Sequence, residues 1–416
     1  MNIEKLKKIL NEPLIKNSYY IVFNSSSVYL LGFIFWFLAA RYYSVETVGV
    51  ATAILSLVQL IYVFSSLGLN YSLIRFLPKS IHKNSLVNSS INLNLVITII
   101  ITIICIILIE FWSTSLSFLK ENYLFLITFF ALTLTFSLFS LQNSIFIAFR
   151  ESKLAFFQSL LFNLLKIPLV MLLIIIGLVG LLYSWIIPGI ISYFIGILRI
   201  KNILKDYHFE LSIKAIDKEI LVYSFGNYIS NILMSLQVMV MPLIIINLWG
   251  ADLAAYFYIS WSISAPLSFL SSAVSTSLLV EGSHEIGNFK SNLVKAIKLI
   301  FVLLIPGIIL IFIFGNYILL LFGTQYSENA LGLLYLLTVA TIPLSINHIY
   351  MTVKRVEKKM INVIFVNLYL SLAMIGGSYL IFGLIGLNGI GVSWLIGNSI
   401  IAIILLIKLK KEARST

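Results

Sequence analysis

The stretch FFQSLLFNLLKIPLVMLLIIIG, residues 156 to 177, decides how the rest of the chain is read. Its 22 residues are long enough, at 1.5 Å rise per residue, to cross a roughly 30 Å hydrocarbon core. Lys166 is its only charged residue. A lysine near the middle of a spanning helix costs about 2.5 to 3.5 kcal/mol, so such residues face protein or a water-filled cavity and often mark a transport path. Similar apolar runs recur along the chain. They fall near 17 to 40, 48 to 67, 91 to 112, 122 to 146, 156 to 177, 179 to 198, 220 to 247, 253 to 279, 293 to 315, 328 to 350, 361 to 382 and 385 to 407. Twelve spans predict an all-α integral membrane protein. The composition agrees: 60% of the 416 residues are hydrophobic and only 11% charged, a balance a bilayer accepts and a soluble domain does not.

The net charge of +12 would suggest nucleic acid, but the placement of the cations excludes it. With the N-terminus inside, 25 of the 28 Lys and Arg fall in or next to inward-facing segments, and only Arg41 and Lys120 lie in outward loops. That bias predicts a multi-pass protein of the cell (cytoplasmic) membrane with both termini cytoplasmic, and membrane lipids as its surroundings. The first 16 residues show no cleavable signal pattern. Their Ile3, Leu6, Ile9 and Leu10 mark one side of a short basic amphipathic segment lying on the membrane surface. Cys105, the single cysteine, packs in an apolar helix.

The longest connection, residues 199 to 219, is charged and central. It divides the chain into an N-terminal lobe (17 to 198) and a C-terminal lobe (220 to 407), with a basic tail over 408 to 416. Glu46 and Asp252 stand 206 residues apart in corresponding loops. Gly177-Leu-Val-Gly180 matches Gly383-Leu-Ile-Gly386 at the same offset, and Ser184-Trp185 matches Ser393-Trp394 at 209. A repeat of six spans keeps both lobes in one orientation, related by a pseudo-two-fold along the membrane normal, as in transporters that work by rocking. Chance matching between glycine-dotted apolar segments is the competing explanation.

Polar residues fall on single helical faces. Ser159, Asn163 and Lys166 share a stripe on the fifth span; Tyr20, Asn24 and Ser27 share one on the first; Ser224, Asn227, Asn231 and Ser235 share one on the seventh. An Asn or Ser in a span more often hydrogen-bonds a neighbouring helix, at about 0.6 kcal/mol, than it binds a ligand. Lys166 stands apart because no Asp or Glu lies mid-span to neutralise it, with Glu110 the nearest to an exception. It is expected to face a hydrated cavity, a bond to backbone carbonyls being the alternative. Pro168 leaves the carbonyl of Leu164 without its helical donor, within a turn of the lysine. Arg41 reads equally as an interfacial anchor, and positive-inside placement alone explains Arg75. The four histidines have no metal spacing, and no nucleotide-binding or metalloprotease motif is present, so no cofactor is implied.

Residues 40 to 78, ARYYSVETVGVATAILSLVQLIYVFSSLGLNYSLIRFLP, together with the Gly-x-x-Gly and Ser-Trp elements, resemble O-antigen-type polysaccharide flippases of the multidrug/oligosaccharidyl-lipid/polysaccharide exporter superfamily. The resemblance implies two six-helix lobes around a central V-shaped cleft. It also implies alternating access that moves a lipid-diphosphate-linked oligosaccharide to the outer leaflet, for lipopolysaccharide or other surface polymer, near a polysaccharide polymerase or glycosyltransferases. On that reading the protein is a transporter and not an enzyme. Lys166, and more weakly Arg41 and Arg75, would meet the diphosphate, while Ser159, Asn163, Asn24, Asn227 and Asn231 would meet the sugars. The alternative is an ion-coupled exporter of small molecules with the same fold. It needs a membrane carboxylate that this sequence does not place mid-span. A glycan-synthesising membrane enzyme would need larger loops than the roughly 20 residues available here.

Overall fold

The computed structural model describes residues 13 to 205, 207 to 284, 289 to 357 and 359 to 415; the amphipathic segment expected over residues 1 to 16 falls almost wholly outside them. Among these residues twelve long helices follow one another: α1 (Pro13–Tyr42), α2 (Val45–Ser65), α3 (Lys83–Ile107), α4 (Tyr123–Ala148), α5 (Ser152–Leu172), α6 (Gly177–Ile203), α7 (Lys218–Leu248), α8 (Ala251–His284), α9 (Phe289–Phe322), α10 (Thr324–Val356), α11 (Met360–Ile385) and α12 (Asn388–Ser415). Eleven contain a stretch long and apolar enough to cross a membrane, and α7 contributes the shorter apolar stretch Ile232–Leu248. Large apolar side chains such as Val302, Phe365 and Leu372 lie more than half exposed on outer faces, as lipid-facing positions require. This is a multi-pass membrane protein.

The helices divide into two compact units. The first holds the chain up to Ser235 together with Leu243–Ala251, and the second holds Leu236–Pro242 and Asp252 onward. The expected boundary at residue 219 or 220 therefore differs from the observed grouping, because most of α7 belongs with the first unit. Named bonds account for this. The Ser72 hydroxyl lies 2.5 Å from that of Ser224 and bonds the carbonyl of Ile220, while the Tyr228 hydroxyl donates to the carbonyl of Phe64 at 3.0 Å. At the other end of α7, Ser113 donates to Asn247 at 2.9 Å and Ser115 to the carbonyl of Ile246 at 3.0 Å.

Helix α3 starts eight residues before the expected 91 because its polar first third has work to do. Asn88, Ser89 and Asn92 are buried and hold the connection between α6 and α7. Asn88 donates to the carbonyl of His208 at 2.9 Å, Asn92 to those of Glu210 (2.8 Å) and Ser212 (3.0 Å), and Ser89 accepts from the amide of Ala215. Asp217 then caps α7 through the amide of Ile220. The central connection is thus strapped to the first unit, with Tyr207, Ala215 and Ile216 packed on its apolar core. Replacing Asn92 with leucine removes the two bonds it donates to part-buried carbonyls, a loss of about 1 to 2 kcal/mol locally. Faster hydrogen exchange and protease cleavage confined to residues 207 to 216 are the expected readouts; unchanged protection there would show that the strap does not hold the segment.

The internal repeat is visible in backbone geometry. Gly177, entering α6, has φ 57° and ψ −134°, and Gly386, after α11, has φ 60° and ψ −142°. Both lie at positive φ, a conformation that costs glycine little and other residues much. Three residues later Gly180 lies against the carbonyl of Leu173 and Gly389 against that of Ile381, each too close for a Cβ. The matching register at this turn is therefore 209, with Gly177 paired to Gly386, and not the 206 that pairs it with Gly383. The Ser-Trp pairs already carried that offset. In this register the counterpart of Lys166 is Ile375.

Candidate functional site

Lys166 lies six residues from the C-terminal end of α5, which stops at Leu172 before a 3-10 turn leads into Gly177. Its side chain is only 3% exposed. Among the described residues no carboxylate pairs with its ammonium. Three aromatic rings surround it instead: Nζ stands 4.3 Å from the ring centroid of Trp185 on α6, 4.8 Å from Phe35 on α1 and 5.1 Å from Phe162 on α5. The rings brace one another, with Trp185 meeting Phe35 and Phe162 edge to face at 5.7 Å in each case. The expected open hydrated cavity is thus replaced, at this atom, by a cage of π faces. A desolvated cation on one such face gains about 2 kcal/mol or more, so the cage offsets most of what the bilayer charges for a lysine.

Helix packing builds the cage. α1 runs along α5 and α5 along α6, and the Tyr43 hydroxyl donates to the carbonyl of Val170 at 2.9 Å, fixing α1 one turn from the lysine. Beside Phe162 and Trp185 lies a narrow void of about 10 Å³, lined by Thr135, Phe139 and Gly189 among others and just large enough for one water. The Trp185 indole N–H is buried without a partner.

The stripe with Lys166 continues along α5 as buried polar groups. Asn163 donates to the carbonyl of Ser159 at 2.8 Å, and Asn143 on α4 donates to the Ser159 hydroxyl at 3.1 Å. Next to Ser159 in the chain, Gln158 donates to Gln142, which also donates to the carbonyl of Tyr193 on α6 and lies directly against Gly196. Across α3 and α4, Ser137 donates to Asn94 at 2.7 Å and sits 2.8 Å from Thr98. Ser159, Asn163 and Asn143 thus form a polar seam between α4 and α5 that stops one turn short of Lys166.

The other sequence-derived candidates are not gathered there. Asn24 on α1 is half-buried, its Oδ1 unpartnered, three helical turns from Phe35. The side chains of Asn227 and Asn231 lie outside the described residues. Arg41 is exposed at the end of α1. Arg75, also exposed, stacks on the Tyr223 ring at 4.3 Å and lines a groove of about 500 Å³ with Phe76, Lys218, Glu219, Val222 and Tyr223. Glu110 is no membrane acid: it pairs with Lys120 at 2.9 Å in the connection between α3 and α4. Among the described residues no cluster of His, Cys, Asp or Glu could hold a metal ion.

Two features escaped sequence reasoning. The first is the cage itself, since Phe35 carries no local mark and Trp185 was visible only as a repeat element. The second is Lys354 near the end of α10, fully buried beside the Tyr350 ring and paired with Glu357 at 3.0 Å. Glu357 also pairs with Lys359. Burial pushes the Glu357 carboxyl up, but hydrogen bonds from Lys359 and Lys354 and their charges outweigh it and leave it below its ordinary range. This second buried lysine is neutralised, which is the contrast that isolates Lys166.

The profile of the family described as polysaccharide biosynthesis protein matches residues 14–280, well over half of the chain. The chain belongs to that family. Among solved structures, this polysaccharide biosynthesis protein is similar to a multidrug resistance MATE family transporter of the MOP superfamily in an inward-facing conformation, at 16% identity and TM-score 0.74, with 94% of each chain covered. It is also similar to the lipid II flippase MurJ in an inward closed conformation, at 19% identity and TM-score 0.75, covering 94% of this chain and 87% of that one. A MOP superfamily transporter from Pyrococcus furiosus matches at 15% identity and TM-score 0.68, over 97% and 96% of the two chains. At such identities these likenesses establish the fold alone: the chain shares the fold of those transporters. No curated protein matches the sequence significantly.

Proposed function

We propose that this polysaccharide biosynthesis protein is a flippase that carries a lipid-diphosphate-linked oligosaccharide from the cytoplasmic to the outer leaflet for surface polysaccharide assembly, by alternating access. The observation that carries the reading is the caged ammonium of Lys166, a cation buried in a spanning helix with no carboxylate among the described residues to neutralise it. A diphosphate offers such a cation far more than aromatic rings do, because charge-assisted hydrogen bonds are about twice as strong as neutral ones and stronger still away from water. The seam of Ser159, Asn163 and Asn143 supplies neutral donors and acceptors of the kind sugars require, and the half-buried Asn24 supplies a further unpaired oxygen. Arg75, stacked on Tyr223 beside Lys218, suits first contact with a phosphate at the cytoplasmic face. Family membership and the MurJ-like fold point the same way.

An ion-coupled exporter of small cations would repel its cargo at Lys166 and lacks a mid-span carboxylate among the described residues. The test is reconstitution into vesicles with fluorescent lipid-diphosphate oligosaccharide, its lipid-monophosphate analogue and a cationic dye. Transbilayer movement of the diphosphate lipid well above protein-free vesicles, and above the monophosphate, is the expected result. Movement of the dye alone would overturn the reading in favour of an exporter.

A further inference from the structure

Helices α8 and α9, consecutive in the second unit, meet closely at one place. Gly307 lies so near the Leu267 side chain that a Cβ there would overlap it. Pro266 and Pro306 stand one residue before that crossing in the two helices, each removing a backbone hydrogen bond and allowing a bend. Toward the connection between the two helices they part around a groove of about 400 Å³. Its walls are apolar and mostly small: Ala273, Val274 and Leu278 on α8, Ala296 and Leu299 on α9. Lys295 and Asn292 line the same groove, and among the described residues no acidic side chain does.

The position of the cation matters. Lys295 is exposed one turn inside the apolar span Asn292–Phe322, at the depth where phosphates meet hydrocarbon. The apolar walls run on from it toward the crossing at Gly307. We infer that this groove is a binding site for one anionic phospholipid of the surrounding leaflet, its phosphate held by Lys295 and Asn292 and one acyl chain laid between α8 and α9. Charge complementarity selects the occupant. A lysine at the interface snorkels its ammonium to an anionic phosphate while its stem covers the chain. Lys298, exposed one turn along, does not line the groove. A helix of another protein would have to leave Lys295 unpaired at the hydrocarbon edge. The site shares no residue with the Lys166 cage and does not rest on the flipping reaction.

The full chain in nanodiscs containing phosphatidylglycerol or phosphatidylcholine, each with a photoreactive group in one acyl chain, tests this by mapping the crosslinked peptides. Crosslinks should concentrate on residues 273 to 278 and 292 to 299, about fivefold more for phosphatidylglycerol, as one interfacial lysine implies. Lys295→Gln should bring the two lipids level. Ser277→Trp, an exposed position lining the groove, should remove the crosslinks by filling it. Crosslinks no denser here than at Phe365 or Leu372 on the outer face of α11 would overturn the site. So would a headgroup preference that survives Lys295→Gln, or displacement of the crosslinks by stoichiometric lipid-diphosphate oligosaccharide, which would make the groove part of the substrate path.

Discussion

Replacing Lys166 with methionine is expected to slow transbilayer movement of lipid-diphosphate oligosaccharide by about 10- to 100-fold, the equivalent of one charge-assisted contact of about 1.5 to 3 kcal/mol. Methionine keeps the volume and flexibility of the side chain and removes only the charge. Stability should hold or rise, because the variant no longer keeps an ammonium within a span whose cost the cage only partly offsets. That separation of rate from stability distinguishes a substrate contact from a structural one. Lys166→Arg should retain a larger share of the rate, since a guanidinium still stacks on Trp185 and still meets a phosphate, though its planar fork does not fit the space of an ammonium. Lys166→Met that folds and moves substrate at the wild-type rate would remove Lys166 from the binding site. Loss of folded protein in both variants would make the lysine a structural element of the cage.

Gly49→Val should be the most destabilising of the glycine substitutions. At Gly49 the first turn of α2 lies directly against the carbonyl of Ala251, so that a Cβ would occupy the position of that oxygen. The neighbour is backbone, and no rotamer change relieves the overlap. Overpacking typically costs about 1 to 3 kcal/mol where side chains can yield, and this site should sit at or above the upper end. Gly383→Val on α11, where nothing lies within 4 Å of the added carbon, serves as the matched control. Thermal melts of the detergent-solubilised proteins should show a large loss for the first and little change for the second. Equal melting temperatures would mean that α2 and the start of α8 separate without cost.

Much of the architecture was legible in the residues. A bilayer leaves the chain one solution for its backbone polar groups, the helix, so apolar runs of about 20 residues locate the spans directly. The starts of α2 and α8 reappear at the offset of 206 set by Glu46 and Asp252. The turns before α6 and α12 obey the offset of 209 already carried by Ser184-Trp185 and Ser393-Trp394, because both need a glycine at positive φ and a second one without a Cβ. Where sequence reading slipped, polar residues were the cause. The run from Lys83 to Ser90 looks like loop by hydropathy, yet it is helix, its Asn88 and Ser89 side chains bonding the backbone of the connection at 208 to 215.

The sequence by itself determined that this is a helical membrane protein with twelve long helices, an internal repeat, and a lysine in its fifth span with no carboxylate at its depth. Those properties follow from local composition and period. Only the tertiary structure decided what the lysine touches. Phe35, Phe162 and Trp185 come from three helices separated by up to 150 positions, and ring faces leave no spacing signature that a cation could be matched to. A charge is visible in a sequence, but whether it is answered depends on neighbours that only packing brings within reach.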